Sequence, residues 1–77
     1  MIELYKLDEG RAFRVTGKSG RRLFTMEEGQ PDPRGSKLRL LDVSDSNFPL
    51  CVFLGGPHVG TKIRIYGGEE VKPLPVL

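Results

Sequence analysis

Two side chains carry the chemistry a nucleophilic reaction would use: Cys51, the single cysteine, and His58, the single histidine. A reactive thiol needs cationic neighbours and exposure. Cys51 is flanked by Leu50 and Val52, which points to a buried, inert thiol. An imidazole activates a thiol only within hydrogen-bond reach, and nothing local brings His58 to Cys51. Metal binding needs a cluster of ligands, which one cysteine and one histidine do not make. The expectation is no catalytic residue, no metal site and no cofactor-binding residue.

Glycine-rich segments give the same answer. Thr16-Gly17-Lys18-Ser19 resembles the end of a phosphate loop, but that loop needs a glycine five positions before its Gly-Lys pair. Ala12 stands there. Gly55-Gly56-Pro57-His58-Val59-Gly60 lacks dinucleotide spacing and a following helix; it reads as a turn between strands. The acids fall in adjacent pairs, Asp8-Glu9, Glu27-Glu28 and Glu69-Glu70. Catalytic carboxylates need environments that push their pKa values apart, and adjacent solvated pairs do not provide them.

The bases are more informative. Acids fall in turns, whereas bases fall inside strand-like segments. Arg14, Lys37, Arg39, Lys62, Arg64 and Tyr66 occupy one parity, and Phe13, Val15, Leu38, Leu40, Ile63 and Ile65 the other. Side chains alternate across a strand, so the second set is core and the first a solvated, basic face. Such a face can hold a phosphate backbone, with Tyr66 able to stack on a base. The plain alternative is that Lys and Arg simply solvate strands and guard sheet edges.

Six strand-like segments must position these residues: Ile2 to Leu7, Ala12 to Thr16, Arg22 to Met26, Lys37 to Val43, Leu50 to Leu54 and Thr61 to Tyr66. Gly17 to Gly20 reads as a hairpin turn. Glu27 to Ser36, with two prolines and two glycines, reads as the longest irregular loop. Ser44-Asp45-Ser46-Asn47 is turn chemistry, because short polar side chains bond their own backbone. Leu50 to Leu54 is apolar throughout, placing it centrally with both faces covered; Val52 is counted with the core. No apolar pattern recurs at helical spacing. The fold class is all-β: one small domain of about six short strands, a strongly bent sheet or compact β-barrel.

That domain spans residues 1–66, followed by an extended C-terminal tail over 67–77. Gly67-Gly68, Pro73 and Pro75 argue against a helix or central strand there. The tail is apolar, and Val71, Pro73, Leu74, Pro75, Val76 and Leu77 are expected to touch a partner.

Ten glycines and six prolines in 77 residues fit short strands joined by tight turns. One cysteine excludes an intramolecular disulfide. The start carries Glu3 and Lys6 inside its apolar stretch, unlike a signal peptide, and no run reaches the roughly 20 apolar residues of a membrane span. A soluble chain, cytoplasmic or virion-associated, is expected. The formal charge of +2 alone does not imply nucleic acid. The first functional expectation is therefore a non-enzymatic protein-protein interaction or assembly subunit, such as a minor structural component of a larger viral-type particle. It would act through a protein partner or as a homo-oligomer, without membrane or small-molecule substrate. The alternative is a small β-barrel that binds nucleic acid through its basic face; an inhibitor or regulator of a partner protein comes third.

Overall fold

The computed structural model describes residues 1–15 and 30–75. Six antiparallel strands form among the described residues: β1 (Ile2–Glu3), β2 (Ala12–Val15), β3 (Lys37–Asp42), β4 (Leu50–Phe53), β5 (Lys62–Arg64) and β6 (Glu70–Pro73). They form one sheet in the order β1-β6-β2-β3-β4-β5. A 3-10 turn at Leu4–Lys6 interrupts what the sequence offered as one strand from Ile2 to Leu7. No α-helix occurs among the described residues. The predicted strand Arg22 to Met26 and the turn Gly17 to Gly20 lie outside them.

Phe13, Val15, Leu38, Leu40, Ile63 and Ile65 are all buried, at 2% exposure or less, and Leu4, Leu7, Cys51, Phe53 and Val71 join them. With no helical layer to cover this face, the sheet buries it by bending over itself. An irregularity between Leu40 and Asp42 shifts the β3–β4 register by one residue, which bends β3 locally. The sheet stays open, with β1 and β5 at its ends. Backbone bonds draw those ends together: Tyr5 N–H donates to Gly67 O at 2.9 Å, and Gly67 N–H to Asn47 O at 2.7 Å. Turn chemistry at residues 44–47 follows the sequence, since Asp45 Oδ1 accepts the backbone N–H groups of Asn47 and Phe48.

Two readings need correction. Val52 is half-buried on the outer face, because Cys51 and Phe53 take the inward parity of β4. An all-apolar strand carries no parity signal, so the sequence offered no way to choose. Residues 70–73, assigned to a tail that could not hold a central strand, instead form β6 between β1 and β2. Pro73 fits because of where it falls. Leu74 N–H donates to Ala12 O at 2.9 Å, so the alternate position, 73, turns its nitrogen toward the β1 side. There the β1 register stops at Val71 and no ladder bond is due.

Candidate functional site

The outer face of the sheet collects the bases. Register pairs Arg14 with Lys37 on β3 and, on its other side, with Lys72 on β6. Lys72, Arg14 and Lys37 thus form one row across three adjacent strands. Directly opposite residues hold their Cβ atoms about 5 Å apart, and like charges so placed are destabilising. A second row runs Ala12, Arg39, Val52, Lys62, and Arg39 stands two residues along β3 from Lys37 on the same face.

Among the described residues no ion pair reaches this row, and Glu70 stands two residues along β6 from Lys72 on the same face. The ion pairs among the described residues are Lys6 with Glu3 at 3.2 Å and Arg34 with Asp32 at 2.7 Å. Arg14 donates from Nη1 to Gly35 O at 2.8 Å, a neutral acceptor that orients the guanidinium without cancelling its charge. Gly35 is placed there by a turn at φ +78°, and its N–H donates to Val15 O. Lys37, Arg39 and Lys72 are exposed.

The remaining bases of the predicted face are placed differently. Lys62 and Arg64 lie on β5, an end strand. Arg64 is half-buried, its Nη1 donating to Phe48 O at 3.0 Å and its backbone N–H to Gln30 Oε1 at 3.1 Å. Tyr66 stands beyond β5, where Phe48 packs its ring against it at 6.1 Å and 60°. Sequence reasoning missed Lys72, because the two prolines after it had removed its segment from the sheet.

Tyr66 belongs to a second feature. Tyr5, Ser46, Asn47, Tyr66 and Gly68 line a pocket of 180 Å³ where three chain segments converge. Gly67 and Gly68 are both needed for space. A Cβ at Gly67 would collide with the Ser46 carbonyl oxygen, and one at Gly68 would lie 2.6 Å from Tyr66 Cε2.

Cys51 and His58 are not brought into a reactive pair. Cys51 is buried, its thiol pointing at Pro49 O at 3.8 Å, and burial pushes its pKa up to about 12, with Arg64 opposing. His58 is exposed, its ring against Phe53 at 5.8 Å. No group of three or more His, Cys, Asp or Glu among the described residues could hold a metal ion. No described helix is long and apolar enough to cross a membrane.

Of the expected partner-binding tail, Val71 is fully buried in the chain's own core, Pro73 and Leu74 are half-buried and Pro75 is exposed. Val76 and Leu77 lie outside the described residues. Arg11 Nε donates to Leu74 O at 2.9 Å, so the segment after β6 stays tied to the domain.

No family model, curated protein or solved structure matches the chain.

Proposed function

We propose that this domain binds nucleic acid by its phosphate backbone, on the outer face of β6, β2 and β3. One observation carries the reading: Lys72, Arg14 and Lys37 stand directly opposite one another in a single cross-strand row. Edge protection does not account for them, because all three strands are interior to the sheet. Ordinary solvation does not require them either, since alternating signs across strands would solvate equally well and add stability. A row of cations that forms no ion pair among the described residues is useful when an anion completes it, and a polyphosphate supplies regularly repeated anions. Arg39 extends the patch along β3.

Tail composition supported the assembly reading, and the burial of Val71 within the sheet accounts for part of that apolar character. The basic row is therefore the stronger basis.

A fluorescently labelled single-stranded oligonucleotide tests the proposal. The triple variant Arg14→Gln, Lys37→Gln, Lys72→Gln is expected to keep its β circular dichroism and lose binding at low salt. Unchanged affinity in the folded triple variant would overturn it.

A further inference from the structure

The pocket at the corner of the sheet has features that the phosphate-binding row does not use. Its walls come from Tyr5 within the 3-10 turn, Ser46 and Asn47 in the β3–β4 connection, and Tyr66 and Gly68 between β5 and β6. Both tyrosines are large aromatic residues left substantially exposed, at 44% and 43%. The corner is preorganised. Tyr5 N–H to Gly67 O at 2.9 Å and Gly67 N–H to Asn47 O at 2.7 Å lock the three segments together, and Glu69 N–H to Tyr66 O at 3.1 Å closes the turn that carries Tyr66 and Gly68. Phe48 holds the Tyr66 ring edge-on from one side, and Gly68 leaves room for that ring.

The lining chemistry selects a ligand class. Among the described residues the lining is uncharged, which favours an uncharged ligand. Two phenol rings offer flat π surface. The Ser46 hydroxyl and the Asn47 amide are not engaged by intramolecular hydrogen bonds among the described residues, and an amide supplies both a donor and an acceptor. At 180 Å³ the space is well below the roughly 300 Å³ at which drug-sized sites begin, which limits the occupant to one small ring system. Cations stand just outside: Arg64 bonds the carbonyl of Phe48, and Lys6 lies 5.8 Å from the centre of the Tyr5 ring.

We propose that the Tyr5–Tyr66 pocket receives a single unpaired nucleobase, stacked on tyrosine with its polar edge on Asn47 and Ser46. The identity of the occupant rests on the nucleic-acid reading above; the pocket's preference for a flat, uncharged, hydrogen-bonding ring does not. Stacking of this kind is tolerant of sequence, because every base has a π face.

Titration of the ¹⁵N-labelled protein with adenosine, an uncharged nucleoside, separates this proposal from the phosphate row. Saturable amide shifts are expected at Asn47, Gly67 and Gly68. Tyr66→Ala should weaken binding about tenfold or more, while Tyr66→Phe, which keeps the stacking surface, should restore most of it. Because Tyr66→Ala removes a ring packed on Phe48, Asn47→Ala serves as a second variant. Its side chain has no structural partner among the described residues, and its loss should weaken adenosine several-fold in a folded domain. The triple variant at Arg14, Lys37 and Lys72 should bind adenosine as the wild type does. Absence of saturable shifts at the pocket, or equal shifts with p-cresol as an aromatic side-chain mimic, would overturn the nucleobase assignment. Oligonucleotide binding that vanishes in the triple variant, with the pocket silent to adenosine, would leave the phosphate row standing and remove this inference alone.

Discussion

At the residue scale, Arg14 sits between two like charges, and that arrangement makes its own prediction. Replacing Lys37 or Lys72 with Gln relieves a repulsion and breaks no hydrogen bond among the described residues. Each change is expected to raise stability by about 0.2–1 kcal/mol while weakening oligonucleotide binding. Urea unfolding checks it; a loss of stability would show that the lysine stems pack in some other essential way. Cys51 gives a second prediction. With its thiol buried and its pKa near 12, the native protein should resist thiol reagents at pH 8 until it is unfolded. Rapid modification of the folded chain would contradict the burial. Acid sensitivity gives a third. The backbone N–H of Glu3 and its contact with Lys6 lower the Glu3 pKa, the Arg34 guanidinium lowers that of Asp32, and the Ser44 N–H lowers that of Asp42. Groups with depressed folded pKa values stabilise above the unfolded value, near 4, and lose that contribution as pH falls through the folded value. Thermal melts should therefore show Tm falling below about pH 4. The fall should be small, because the three carboxylates are exposed or nearly so. A Tm that stays level down to pH 2 would contradict it.

At the element scale, the sequence was informative wherever polar and apolar residues alternate. Phe13/Arg14/Val15, Leu38/Arg39/Leu40 and Ile63/Arg64/Ile65 each state which face is inside, and all three agree with the observed burial. Leu50 to Phe53 does not alternate, and there Val52 was misassigned. β6 was invisible for another reason. Proline is a strong argument against a central strand, but the argument applies only where an N–H is due, and that depends on how far the neighbouring strand extends. Once β6 was set aside, Lys72 could not join the row, so one of its three cations was beyond local reading. The pocket was equally hidden, since Tyr5 and Tyr66 meet only through the register of β1 and β6. Because β6 bridges β1 and β2, a chain ending at Glu69 is expected to be unfolded by circular dichroism. A folded β signal from it would contradict the assigned topology. Gly67→Ala should also destabilise, by about 1–3 kcal/mol, because the added Cβ overlaps the Ser46 carbonyl; an unaltered melting curve would show that the corner can open freely.

At the scale of the whole molecule, a net charge of +2 understates the outer face. The acids sit mainly in turns and at strand ends, so a nearly balanced chain presents a basic row over β6, β2 and β3 that no ion pair among the described residues neutralises. The field of such a patch acts on extended polyanions and is screened by salt within about 10 Å at 0.1 M. The salt dependence of oligonucleotide affinity therefore tests the account most directly. Three phosphate contacts, or four with Arg39, predict that log K falls against log salt concentration with a slope between about −2 and −3 for a single strand. The Arg14, Lys37, Lys72 triple variant should flatten that slope toward zero. No measurable binding at low salt, or a wild-type slope near zero, would contradict it.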